Sequence, residues 1–384
     1  MSNTQKNIPE LRFPGFEDEW EANVLGEVVY VYDGTHQTPK YTSKGIKFLS
    51  VENIKTLDSD KYISKEAFEK EFKIRPEFGD ILMTRIGNIG TPNIVKSNED
   101  FAYYVSLALL KPKCINSYFL KTLILSPFIQ NELWRKTLHV AFPKKINKNE
   151  IAKVLINYPE KAEQEKLGTF FNKFDRQIEL EEKKLELLEQ QKKGYMQKIF
   201  SQQLRFKDEN GEKFPDWQTT TLGQLSDITT GSLDANAMVP NGKYKFFTCA
   251  RETYQIDKYA FDTEALLISG NGANVGYIHY YKGKFNAYQR TYVLDNIQND
   301  INFIKYYLER YLIKRIYSEK RDGNTPYITR STLYDMSISI PLAKLEQMKI
   351  SCFLTKLDNK IQNQSDKVEL LKERKKGFLQ KMFV

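Results

Sequence analysis

Between residues 163 and 200, apolar side chains recur at Leu167, Phe171, Phe174, Ile178, Leu185, Leu188, Tyr195 and Ile199. Spacings of four and three alternate, the mark of a heptad seam on a helix. The same registers return in 346–383 at Ile350, Leu354, Leu357, Ile361, Val368, Leu371, Phe378 and Met382. Each seam is interrupted at the same two registers by polar residues, Glu181 and Lys192 in one and Gln364 and Lys375 in the other. Polar seam positions cost stability and fix register and orientation. Each helix, if continuous, spans about 57 Å at 1.5 Å per residue. A narrow seam of that length wants a partner helix, and the natural partner is the other copy, in antiparallel sense. Gly194 and Gly377 share a register near the helix ends, where a break or a close backbone approach is expected.

Outside these helices the periodicity changes. The runs "VVYVY", "IKFLSV", "GDILMTRIG" and "YYVSLALLK" predict strands, followed by a helix over 117–137. Later, "YKFFTCA", "EALLISGNGANVGYIHYY" and "NAYQRTYVL" predict strands again, followed by a helix over 301–320. Strands first and helices later indicate mixed domains with an antiparallel or mixed sheet. The expected fold is α+β: two pseudo-two-fold-related globular α/β domains separated by two long helices that form an antiparallel coiled coil.

The chain is duplicated. Shifted by 183, residues 163–200 fall on 346–383 without a gap, and 17 of the 38 positions are identical. "KKGYMQKIF" (192–200) and "KKGFLQKMF" (375–383) close the two copies. Upstream, Ile146, Ile151 and Pro159 correspond to Ile328, Leu333 and Pro341. "WEANVLGEV" (20–28) corresponds to "WQTTTLGQL" (217–225), and "LRF" precedes each, at 11–13 and 204–206. The segments are therefore a first domain at 1–160, a central helix at 161–203, a second domain at 204–342 and a C-terminal helix at 343–384. The second "LRF" follows a helix and the first does not. The C-terminal helix is its missing predecessor, so the chain ends are expected to meet.

Charge adds a candidate partner. The net charge of +9 and pI near 9.0 favour nucleic acid, through phosphate neutralisation and counterion release. No apolar run approaches the roughly 18 residues of a membrane span, and "MSNTQKNIPELRF" has no signal-peptide core. A cytoplasmic protein is expected. Cys114, Cys249 and Cys352 are too few and too scattered for a disulfide framework or a metal pair, and read as partly buried small apolar residues.

Catalytic signatures are missing. The sequence holds no GxxxxGK[ST], HExxH or GxSxG. "GNGANVG" follows a strand but precedes another strand, where a dinucleotide site needs a helix. His36, His139 and His279 are scattered, and "EKK" at 182–184 lies on the exposed side of a helix. The expectation is no catalytic residue, no metal and no cofactor bound by this chain.

Two variable domains, each preceded by "LRF…W…LG" and followed by a long helix, resemble the specificity subunit of type I restriction–modification systems. "LRFPGFEDEW", "YPEKAEQEKLGTFFNKFDRQI", "LLEQQKKGYMQKIF" and their second copies carry the resemblance. It implies that each variable domain is a target recognition domain reading half of a bipartite double-stranded DNA site, and that the coiled coil sets the gap. It also implies two modification (methyltransferase) subunits as partners, with S-adenosylmethionine, and restriction subunits with ATP and Mg. The same layout fits the specificity subunit of a fused restriction–methylation enzyme. A coiled-coil scaffold that reads no DNA is the alternative from another class.

Each domain offers a tight polar turn after a strand, "TRIGNIG" (84–90) and "SGNGANVG" (269–276), and a proline-bearing cationic loop, "HVAFPKKINKNEI" (139–151) and "DGNTPYITRSTL" (322–333). Arg, Asn, Ser and Thr on turns suit base-edge and phosphate contacts, and equally form ordinary turns. The candidate DNA-binding residues are Thr84, Arg85, Asn88, Lys144, Lys145 and Lys148 in the first domain. In the second they are Ser269, Asn271, Asn274, Arg290, Thr329 and Arg330.

Overall fold

The computed structural model describes residues 7–37, 39–319 and 325–384. The start of the first domain, the last residue of the 301–320 helix and residues 322–324 of the second cationic loop lie outside the described residues. The chain forms two compact units: residues 1–182 with 366–384, and residues 183–365.

The long helices are Lys161–Phe200 and Lys344–Lys381. In the first unit Asp175 meets Lys375 at 2.6 Å, Glu182 meets Lys372 at 2.9 Å, and Glu181 pairs with Lys367. In the second, Lys192 meets Asp358 at 2.6 Å and the Tyr195 and Phe353 rings lie 5.0 Å apart. Partners advance on one helix as they recede on the other, so the pairing is antiparallel in each unit. None of the sixteen seam residues is exposed.

The seam lysines are not solvated. Lys192 and Lys375 are about four-fifths buried and each holds the aspartate contributed by the other copy of the helix. Gly194 and Gly377 neither break the helix nor admit a close neighbour, since a Cβ at either would meet open space.

A second repeated device joins helix to domain. Arg12 of the first "LRF" makes a two-pronged pair with buried Glu163, both contacts 2.7 Å, and Arg205 of the second does the same with buried Glu346 at 3.1 and 2.9 Å. The adjacent Gln164 and Gln347 donate to the carbonyls of Pro159 and Pro341, both at 2.8 Å. Each glutamine also accepts from the residue just before a domain helix, through Asn116 N and Asp300 N. Trp20 packs edge-on to Phe119 and Phe383, while Phe303 takes both Trp217 and Phe200. The last phenylalanine of each "KKG" motif thus ends inside an aromatic cluster.

The expected meeting of the chain ends is present in detail. Leu204 N donates to Lys198 O at 3.0 Å across a short turn, and Leu11 N donates to Lys381 O at 2.9 Å. Lys381 is the duplicate of Lys198, so one hydrogen bond is made twice, once within continuous chain and once across the termini.

Each domain opens with a strand after its tryptophan, Glu21–Val24 or Gln218–Thr221. That strand pairs antiparallel with the strand before the second-copy proline or its equivalent, Leu155–Tyr158 or Ser337–Ile340. The remaining strands keep one order in both units, with Val29–Asp33, Leu107–Pro112, Ile81–Thr84 and Pro92–Ile94 matching Asp227–Thr230, Thr291–Asp295, Phe261–Ser269 and Ile278–Ala287, and they differ in how they divide into sheets. The first unit has two four-stranded sheets, one of them Val29–Asp33, Leu107–Pro112, Ile81–Thr84 and Pro92–Ile94 in spatial order. The second has one six-stranded sheet centred on Phe261–Ser269 and Ile278–Ala287. The helix expected over 117–137 is two, Ser117–Leu125 and Pro127–Arg135, because Ser126 caps the second and Pro127 cannot continue the first. Ile301–Glu319 is a single helix.

Cys114 and Cys352 are exposed and Cys249 is half-buried, against the expectation of partial burial for all three. Among the described residues, no helix is long and apolar enough to cross a membrane.

Candidate nucleic-acid interface

In the first unit, strand Ile81–Thr84 runs into the turn 84–90. Gly87 and Gly90 there adopt φ of +77° and +86°, a region that favours glycine. The loop 138–148 lies against this turn: Gly87 N donates to Lys144 O at 2.9 Å and Ile146 N donates to Arg85 O at 3.0 Å. The two stretches singled out in the sequence form one surface.

The same junction is built in the second unit. Ile328 N donates to Gly270 O at 2.8 Å, and Asn271 forms an antiparallel bridge with Tyr327. Gly90 N reaches back to Thr84 O in the first turn, as Gly276 N does to Ser269 O in the second. Arg85 N donates to Ser106 O and Gly270 N to Arg290 O. By these bonds Thr84 matches Ser269, Arg85 matches Gly270, and Ser106 matches Arg290.

The candidates divide by exposure. Asn88, Lys144, Lys145, Lys148, Arg290, Thr329 and Arg330 are exposed, and Asn271 and Asn274 are half-buried. Asn274 gives its amide to Cys249 O at 3.2 Å, Thr329 caps the helix Arg330–Tyr334, and Arg330 lies over the Tyr334 ring. Thr84, Arg85 and Ser269 are buried. The Thr84 hydroxyl donates to Asn88 O and accepts from Thr91 N at 2.9 Å, so it closes its own turn. Arg85 is 5% exposed, pairs with Asp33 and donates from Nε to Ile146 O at 2.9 Å. These three shape the turns from within, and their exposed neighbours form the surface.

Several surface residues were not among the candidates. On the first unit Trp134, Val140 and Phe142 project beside the lysines, and Lys144 Nζ sits 4.4 Å from the Trp134 ring centre. The signal was apolar side chains inside an otherwise polar, cationic loop. On the second unit Gln289 joins Gly270, Arg290, Tyr292 and Ile328 around a cavity of about 300 Å³. Beneath it the buried hydroxyls of Ser269 and Thr291 have no hydrogen-bond partner in the protein. Burial lowers the pKa of nearby His279, partly offset by its hydrogen bond to Ala250 O, so the ring is neutral at pH 7. Among the described residues, no group of three or more His, Cys, Asp or Glu could hold a metal ion.

The profile of the type I restriction modification DNA specificity domain matches the chain twice, over residues 17–190 and 215–373. The chain belongs to this family. A type I restriction enzyme EcoDI specificity subunit from Escherichia coli is 41% identical over 165 residues, which cover 43% of this chain and 36% of that relative. The MjaIX specificity subunit of Methanocaldococcus jannaschii is 22% identical across 95% of this chain and 92% of its own length. In fold, the chain is similar to the S subunit of a type I restriction–modification system from M. genitalium. The TM-score is 0.68 at 16% identity, over 98% of this chain and 99% of that one. Both copies of the turn-and-loop junction lie within the matched specificity domains.

Proposed function

We propose that this chain is the non-catalytic DNA-reading subunit of a type I restriction–modification complex. Residues 1–160 and 204–342 each read one half of a bipartite double-stranded site. The helices at 161–203 and 343–384 set the permitted spacer and dock two methyltransferase subunits. S-adenosylmethionine, ATP and Mg belong to the methyltransferase and restriction subunits, and this chain binds none of them. The observation that carries this reading is a junction of turn and loop held by the same backbone bonds in both units while its exposed side chains differ. A constant frame with divergent display is what two half-sites of different sequence require. Lys144, Lys145 and Lys148, with Arg290 and Arg330, supply phosphate and base-edge donors; Asn88 and Asn271 add amides at the turn tips.

Methylome sequencing of cells with and without the gene tests this. One bipartite adenine-methylated motif should vanish on deletion, and replacing 20–158 by the first domain of another family member should rewrite one half of it. A methylome unchanged by deletion, or two half-sites altered by one replacement, would overturn the reading.

A further inference from the structure

The 138–145 loop is closed at its base and apolar at its tip. Leu138 N donates to Lys145 O at 2.8 Å, pinning the ends together, and Leu138 and Ile86 both bridge to Lys145. Trp134 braces one side: the His139 ring sits 4.3 Å from it, with Nε2 3.0 Å from Trp134 O, and Lys144 covers its face. From this base Val140 and Phe142 stand 98% and 104% exposed. Phe142 touches nothing that its own fold needs.

The surroundings say what would cover it. Residues 135–149, "RKTLHVAFPKKINKN", contain five Lys or Arg and no acidic side chain. Arg135 is engaged by Glu132 and Lys136 is half-buried, whereas Lys144, Lys145 and Lys148 are exposed. An apolar tip ringed by cations fits a polyanion with an apolar interior, which describes stacked bases between phosphates. A protein partner for such a tip would need an acidic rim around an apolar pocket.

We propose that the Val140–Phe142 tip is a wedge that enters the base stack of duplex DNA beside the first half-site, unstacking one step while Lys144 and Lys145 hold the flanking phosphates. The inference rests on the DNA-reading function proposed above. The pinned base of the loop keeps the tip in place before binding, so little ordering is needed on contact. Because Phe142 is exposed, its replacement leaves the fold intact and isolates the contact.

The test uses the full chain with its methyltransferase subunits and no S-adenosylmethionine. The probe is a duplex carrying the methylated motif, with 2-aminopurine placed in turn at steps flanking the first half-site, away from the methylated adenines. Wild type should brighten 2-aminopurine at one step. Phe142→Ala should abolish that signal and weaken binding about tenfold, the scale of one lost aromatic–base stack. Phe142→Trp should keep both. Lys145→Ala should lower the salt dependence of binding by about one phosphate contact and leave the brightening in place. If wild type binds the motif specifically without brightening any step, the wedge is wrong and the reading function stands. If Phe142→Ala binds DNA normally but loses methyltransferase subunits, the tip is a protein contact and the wedge is again wrong. Absence of any motif preference in wild type overturns both claims.

Discussion

The two units share a frame and differ in what the frame holds. In each, an LRF arginine grips a buried glutamate, a glutamine ties a proline carbonyl to a domain helix, and a seam lysine meets an aspartate from the other copy. Strand order and turn backbone repeat as well, and the side chains on the turns do not. At the matched position of the two turns, the first unit has an arginine locked to Asp33 and Ile146, and the second has Gly270 beside an open cavity. A side chain on Gly270 would strike Arg290 O at 2.4 Å. Frame residues are thus the ones written twice, and the exposed side chains of the turns are written once.

Five substitutions sharpen or break this comparison. Arg85→Ala should cost most, roughly 3 kcal/mol, because it leaves Asp33 and a carbonyl unpaired in a mostly buried setting. Denaturant unfolding should show the loss, and reading of the first half-site should fail while the second survives. If both fail together, the turns are not independent. Next, Glu163→Gln and Glu346→Gln should each cost about 2 kcal/mol, since each strips the charge from a buried two-pronged arginine pair. Equal losses in thermal or chemical unfolding support an equivalent frame, and a difference above about 1 kcal/mol contradicts it.

A smaller effect makes the Asp175 contact depend on pH. Burial opposes ionisation of Asp175, but Lys121 and Lys375 outweigh it and hold the carboxyl below its usual range. A depressed acid contributes stability that is present above its unfolded pKa and lost as pH falls through the folded value, here below about pH 4. Unfolding of Asp175→Asn against wild type should show a constant gap from pH 7 to pH 5 that closes under more acid conditions. A gap that persists at pH 2 would assign the loss to packing. Smallest is Lys372→Ala, whose exposed pair with Glu182 should matter by less than about 0.5 kcal/mol in the same assay.

Much of this was legible because duplication reveals which residues the architecture cannot exchange. The seam stretches 163–200 and 346–383 lie within two residues of the long helices at each end, the segment bounds 161–203 and 343–384 run three residues past their C-terminal ends, and the "LRF" asymmetry pointed to the meeting of the termini. The sites were harder. Arg85 looks like a base reader on a turn, and only folding brings Asp33, 52 positions away, to meet it. Ser269 looked like a surface hydroxyl and lies buried at the end of a central strand. Phe142 was not among the candidates, because exposure depends on neighbours that local sequence does not name. The break at Ser126 could have been read from Pro127.

The hydrogen bond shared by Leu204–Lys198 and Leu11–Lys381 has a topological consequence. Where the backbone runs on from helix to "LRF", and where it does not, the junction is the same. Covalent continuity at 201–203, where Gln202 takes a φ of +59°, is therefore not needed to bring helix and "LRF" together. A gene cut there and rejoined by a short linker from Val384 to the start of the chain would encode the halves in reverse order, yet every helix-to-domain junction would keep its partners.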